Sequence, residues 1–237
     1  MINSTVVLLL LVLIGLLIIS FVVFRQRRRH YGAQEKLLER IAVRTHTMPK
    51  PGDDGVRGKY KGYLIETTSR LWIGSTRQED EARQAVDKSQ KRWSSFNPKL
   101  VVELKSPNAN YPAIAIWDDL SWLPTGVLLP EERRQRMPAQ PKMALDTTPL
   151  HPRVSLYGAD VKAARLLLES AELRHQLKNW HFVDLRAEGD TIRLRLDSPL
   201  AWEKFGNRLK HPQYIIAAMD LCVEMAEVLK AYVTEHV

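Results

Sequence analysis

The sequence predicts an α+β protein: a single N-terminal transmembrane helix, then a soluble mixed domain of two β-α-β-β-like lobes with a long C-terminal amphipathic helix. Three observations predict this class. Residues 6–24 are almost entirely apolar, and segments rich in β-branched and aromatic residues alternate with helical patterns. After Pro212, apolar residues recur with helical spacing. The 237 residues provide for one sizeable core or two small ones.

The apolar run begins at Val6 and ends at Phe24, and only Gly15 and Ser20 interrupt its Val, Leu, Ile and Phe residues. As a helix it would measure roughly 28 Å, close to the ~30 Å hydrocarbon core of a bilayer. Transfer free energies of about −0.3 to −0.6 kcal/mol for each apolar side chain favour insertion. The run therefore predicts a single-pass transmembrane helix, with residues 1–5 as a short tail outside.

A cleavable signal peptide is the main alternative for an N-terminal apolar run. It would need a positively charged start, a shorter apolar stretch and a small residue at the cleavage site. Residues 1–5 carry no charged side chain, and the run ends in a bulky aromatic residue followed by arginine. These features favour an uncleaved signal-anchor.

Four arginines follow the run within five residues: Arg25, Arg27, Arg28 and Arg29. By the positive-inside bias, they place the N-terminus outside the inner membrane and residues 25–237 in the cytoplasm. They also form a candidate site for anionic lipid headgroups, at about 1 kcal/mol per basic residue. Residues 25–44 hold +5 of the net charge of +8, which leaves only +3 for residues 45–237. This distribution favours lipid over nucleic acid as a partner.

Residues 25–57 are predicted to form a basic juxtamembrane helix and a linker. Leu37, Leu38 and Ile41 stand among charged residues and indicate a short amphipathic helix. Two prolines, two glycines and two aspartates in Met48–Gly55 indicate a linker after it. The folded domain is therefore expected to begin near Gly58.

The N-terminal α+β lobe is predicted to span residues 58–129. Its strands are expected at Tyr60–Thr67, Leu71–Ile73, Leu100–Leu104 and Ala113–Trp117. A capping box starting at Thr76 predicts a helix that runs to about Trp93. Because the apolar side of this helix is thin, it is expected to be largely exposed or completed by a partner.

A proline-rich connection is predicted between the lobes, over residues 130–152. It contains five prolines, several charges and little periodicity. An irregular stretch of this length is unusual inside a compact domain. It is interpreted either as a linker or as an extended arm laid over another surface.

The C-terminal α+β lobe is predicted over residues 153–237. A strand at Arg153–Tyr157 precedes a helix that begins after Asp160. Trp180–Leu185 and Thr191–Leu196 are expected to form a hairpin, with Ile192, Leu194 and Leu196 inward and Arg193 and Arg195 outward. Pro212 opens the final helix, which should pack across the sheet.

No motif in the sequence specifies a reaction. Phosphate-binding, dinucleotide-binding, zinc-protease and serine-hydrolase signatures are all missing, and the seven histidines show no ligand spacing. No cofactor and no metal are therefore expected. Asp118 and Asp119 are the best local candidates for acid–base catalysis, although Asp-Asp is also an ordinary turn signal. Cys222 lies in the apolar stripe of the last helix and is interpreted as a small core residue.

Two tryptophans are the candidate partner contacts: Trp93, at the end of the thin helix, and Trp122, before the proline-rich connection.

The leading interpretation is a non-catalytic single-span accessory or scaffold subunit of a larger membrane protein complex, such as a respiratory or photosynthetic one. Its cytoplasmic domain would stabilise or dock partners through protein-protein interaction. Two alternatives remain open: a membrane-tethered enzyme that uses Asp118 and Asp119, and an adaptor that senses anionic lipid.

Overall fold

The computed structural model describes residues 14–21, 35–50, 55–70, 99–118, 137–178, 180, 183–196 and 211–236. The helices in these ranges are α1 (14–21), α2 (35–45), α3 (Val161–Glu169), α4 (Ala171–Leu177) and α5 (Pro212–His236). The strands are β1 (Met48–Pro49), β2 (Val56–Tyr60), β3 (Tyr63–Arg70), β4 (Lys99–Lys105), β5 (Tyr111–Asp118), β6 (Val154–Gly158), β7 (Asp184–Gly189) and β8 (Thr191–Leu196). The fold is α+β.

The strands form one antiparallel sheet of eight, in the order β1-β2-β3-β4-β8-β7-β5-β6. Strands of the two predicted lobes alternate in it, since β4 pairs with β8 and β5 lies between β6 and β7. The sequence left open whether the lobes form one sheet. The structure replaces two β-α-β-β-like units with a single shared sheet.

The structure contradicts the predicted transmembrane helix. In the described part of the chain, no helix is both long and apolar enough to cross a membrane. Residues 14–21 of the predicted span are helical. Helix α5 has the length but carries Asp220, Glu224 and Glu227. The single-pass and signal-anchor predictions are therefore wrong on this finding. Residues 6–13 and 22–24 of the predicted span lie outside the described residues.

Helix α5 covers one face of the sheet, as the sequence predicted. It packs against β4, β8 and β5, and helices α3 and α4 pack against it in turn. Its side chains Ile215, Leu221, Met225 and Leu229 are fully buried. The period-2 pattern of β8 is confirmed as well, because its three aliphatic side chains lie in the same core.

The core begins earlier in the chain than predicted. Leu37, Leu38 and Ile41 of α2 are buried in the main hydrophobic cluster with the sheet residues. The expected linker contributes β1, which pairs with Arg57 and Val56 of β2. Helix α2 and β1 therefore belong to the fold, and the expectation that the domain starts near Gly58 is wrong.

A hairpin replaces the single strand predicted at Tyr60–Thr67. Strands β2 and β3 are joined by Lys61 and Gly62, whose φ angles are 48° and 92°. Positive φ at both central positions matches the tight turns that follow the twist of paired strands. The sequence signals this turn only weakly, because lysine is an unusual residue at the first central position.

The described end of the proline-rich connection is an ordered arm, which we define as residues 137–152. It lies beside the edge strand β6: the Met143 N–H donates to Leu156 O at 2.8 Å, and the Gly158 N–H donates to Pro141 O at 2.9 Å. Leu150 is fully buried. The sequence left open a linker or an extended arm laid over another surface. The described residues form such an arm, and the surface that it covers is the edge of this chain's own sheet.

Helices α3 and α4 replace the continuous helix that the apolar pattern suggests. Ser170 breaks it: its Oγ accepts the Leu173 N–H at 3.1 Å and so caps α4. Asp160 caps α3 in the same way through Ala163 N at 2.9 Å. Two caps ten residues apart turn the chain, so Leu167, Leu173 and Leu177 all reach the core.

Candidate functional site

The predicted carboxylate pair is only half described. Asp118 ends β5 opposite Val154, and its N–H donates to Val183 O at 2.8 Å. It is 1% exposed, on the face that carries the helices. Asp119 lies outside the described residues. The structure therefore places the Asp118 carboxylate within the core rather than in an open cleft.

His151, at the end of the arm, is the titratable group near Asp118. Burial lowers the pKa of His151, the negative charge of Asp118 opposes this shift, and Arg153 adds to it. The His151 Nδ1 accepts the Arg153 N–H at 3.2 Å. Since His151 is only 7% exposed and Asp118 only 1%, both side chains are closed to a substrate.

Cys222 is fully buried, as the sequence predicted for a small core residue. Burial raises the pKa of its thiol well above the ordinary value. A thiol that stays protonated and is closed to solvent is a poor nucleophile.

The remaining predicted site residues fall outside the part of the chain that the structure describes. These are Arg25, Arg27, Arg28 and Arg29 of the basic cluster and the candidate partner contacts Trp93 and Trp122. Within the described ranges, no group of three or more His, Cys, Asp or Glu residues could hold a metal ion.

The sheet has a second face, which points away from the helices and which we call the outer face. Side chains alternate between the two faces along each strand, and directly paired residues share a face. The described charged side chains of the outer face are basic at Arg57, Lys59, Lys105, Arg186, Arg193 and Arg195 and acidic at Glu66, Glu103, Asp184 and Glu188. Basic groups thus outnumber acidic ones by six to four.

Ion pairs order this charged surface. The Glu103 carboxylate lies 2.7 Å from Arg193 Nη2 and 3.4 Å from Lys105 Nζ. Burial alone would raise the pKa of Glu103, but the hydrogen bonds and positive charges of Arg193 and Lys105 outweigh it and lower the pKa. Arg186 donates to both oxygens of Asp184, at 2.6 and 3.1 Å. The side chains are therefore held in defined positions by their neighbours.

The outer face changes character at β5 and β6. Ala115, Trp117 and Tyr157 are buried there and form a small cluster of their own. The rings of Trp117 and Tyr157 meet edge to face, with centroids 5.8 Å apart. The exposed, charged part of the outer face is thus confined to β2, β3, β4, β7 and β8.

Hydroxyl groups hold helix α5 to its surroundings. The Tyr60 hydroxyl donates to Asp220 at 2.7 Å, and the Tyr63 hydroxyl donates to Glu227 at 2.6 Å. Burial, followed by the bond to the carboxylate, raises the pKa of both tyrosines. Sequence reasoning missed these bonds because partners about 160 residues apart leave no local pattern.

Comparison of the chain with protein-family models, with curated proteins and with solved structures gave no significant match.

Proposed function

We propose that this chain is a non-catalytic accessory or scaffold subunit of a larger membrane protein complex, and that its folded domain docks a partner protein. The proposal is carried by the outer face, where five adjacent strands present charged side chains. Arg57, Lys59 and Arg193 are exposed on it. Polar, ion-paired surfaces of this kind resemble the rim and the transient contact areas of protein interfaces more than a catalytic pocket.

The charge balance of the outer face supports a partner with an acidic surface. Its acids Glu103 and Asp184 are already paired within the sheet, and Glu66 pairs with Lys50 at 2.6 Å. Arg57 and Lys59 add positive charge at the β2 side of this surface. A partner surface with acidic side chains would complement this excess of positive charge and would be attracted toward it during association.

The proposed location is the cytoplasmic side of the inner membrane. Support comes from helix α1, whose side chains Ile14, Leu17, Ile18 and Phe21 are 46 to 64% exposed. A helix that presents large apolar groups to solvent is suited to contact with a bilayer surface or with an apolar protein surface. Anionic lipid would attract the arginine cluster that follows it in the sequence.

The test is recovery of the tagged full-length chain from native membranes in mild detergent, followed by native electrophoresis and mass spectrometry. Co-migration with a defined set of membrane subunits is expected. The charge-reversal variant Arg57→Glu/Lys59→Glu should lose an acidic partner. The matched variant Lys162→Glu/Arg165→Glu makes the same charge change at exposed positions of α3 and should keep it.

A chain that always migrates alone would refute the proposal. Equal loss of partners from both charge-reversal variants would instead reject the outer face as the docking surface. Thermal unfolding of each variant checks that the domain remains folded. Flotation with vesicles that contain anionic lipid tests the membrane contact separately.

A further inference from the structure

One face of helix α4 carries basic side chains around a surface cleft. Ala171, Arg174, His175 and Lys178 recur at the spacing of a single helical face, and Pro149 of the arm lies opposite them. Together they line an open cleft of about 320 Å³. Every titratable group in the lining is basic. The cleft lies on the helices, and its residues are distinct from those of the outer face.

No acid of α4 itself neutralises this charge. Glu172 lies on a different face of the helix, where its carboxylate accepts a hydrogen bond from Gln176 Nε2 at 2.9 Å. Among the described residues, no carboxylate forms an ion pair with Arg174 or Lys178. Within the described part of the chain, the positive charge in the cleft is therefore not neutralised by an ion pair, which suits an anionic ligand.

The position of Arg174 is partly fixed in advance. Its Nε donates to Ser170 O at 3.3 Å, and the side chain is half-buried. Its terminal guanidinium nitrogens can still form the paired hydrogen bonds that suit a carboxylate. Pro149 and Ala171 give the cleft an apolar wall on which the methylene groups of a glutamate could lie.

We propose that this cleft binds an acidic peptide segment of a partner protein, with Arg174 and Lys178 contacting its carboxylates. The inference goes beyond the proposed docking function, because the cleft is a second site on the opposite side of the sheet from the outer face. An acidic segment is favoured over a compact anion because the cleft combines the cations of Arg174 and Lys178 with the apolar side chains of Pro149 and Ala171.

The experiment measures fluorescence anisotropy of a labelled glutamate-rich heptapeptide with the full-length chain in mild detergent. Arg174→Gln/Lys178→Gln should weaken binding about tenfold, since it removes two charge-assisted contacts. The matched control Lys162→Gln/Arg165→Gln removes two exposed charges from the neighbouring helix α3 and should change the dissociation constant less than twofold. A lysine-rich peptide of equal length should not bind.

Three outcomes would overturn the inference. The first is no binding of the acidic peptide, and the second is equal weakening by both double variants. The third is displacement of the peptide by inorganic phosphate or by anionic vesicles at equivalent anion concentration, which would assign the cleft to phosphate groups. If the cleft fails while the chain still co-purifies with a complex, the docking function survives without this site. If the peptide binds but no complex is recovered, the docking function fails by itself.

Discussion

Replacing Ile41 with alanine tests whether helix α2 belongs to the folded core. Ile41 is fully buried in the main hydrophobic cluster, whereas the sequence pattern alone placed it in a juxtamembrane helix before a linker. Truncation of a buried isoleucine to alanine costs about 2 to 5 kcal/mol, because apolar contacts are lost and a cavity is left behind. In a domain of this size the midpoint of thermal unfolding should fall by about 5 to 15 °C.

The matched control is Val43→Ala, in the same helix but 76% exposed. Loss of an exposed side chain should change the free energy of unfolding by less than about 0.5 kcal/mol. Alanine also has a higher helix propensity than valine, and this difference offsets any loss of stability from the missing methyl groups. Urea and thermal unfolding of the full-length chain in mild detergent, followed by circular dichroism, compare the two variants with the wild type.

Equal midpoints for Ile41→Ala and the wild type would refute the placement of α2. The residues would then be read again as a linker, and the sheet would begin at β2. Equal destabilisation by Ile41→Ala and Val43→Ala would also contradict the reasoning, since only the first side chain is buried.

Three further predictions concern single bonds and close contacts. Tyr63→Phe should lower the free energy of unfolding by about 1 to 2 kcal/mol in urea titrations, because Glu227 loses a charge-assisted hydrogen bond but remains exposed enough to be hydrated. Burial lowers the pKa of His151 below its ordinary value of 6.5, so its contribution to stability is complete above that pH and is lost as the pH falls below it. Urea midpoints at pH 7.5 and pH 5 should thus differ more for the wild type than for a variant with glutamine at His151, and equal shifts would contradict this. Gly55→Ala should destabilise by more than about 2 kcal/mol, because its Cβ would lie 1.7 Å from the carbonyl oxygen of Thr67; an unchanged melting temperature would show that the backbone yields there.

Much of the secondary structure was readable from the sequence. The alternation in Thr191–Leu196, the helical stripe after Pro212 and the strand at Leu100–Leu104 all appear in the structure at nearly the predicted bounds. Each depends on the period with which apolar side chains must recur to reach one face of a helix or strand. Less of the candidate site could be predicted. The alternation of apolar and polar residues in β8 predicted that Arg193 faces outward, but its ion pair with Glu103 depends on the pairing of β4 with β8.

What lies against an apolar stretch was not determined by the sequence. The hydropathy of residues 6–24 predicts a membrane span, yet among the described residues no helix is both long and apolar enough to cross a membrane. The same ambiguity affected α2, whose apolar stripe suits a membrane interface and a protein core equally well. In this chain the stripe packs into the core.

The sequence by itself determined the helices and strands whose apolar residues recur periodically, and the outward direction of the arginines on β8. It also contains no recognised catalytic motif. Only the tertiary structure decided the strand order, the inclusion of α2 and β1 in the sheet and core, and the pairing of hydroxyl groups with the carboxylates of α5. The physical reason is the range of the interactions. A period of two or 3.6 residues is a property of neighbouring residues, whereas β4 and β8 meet across about ninety residues because their buried faces complete one core under α5.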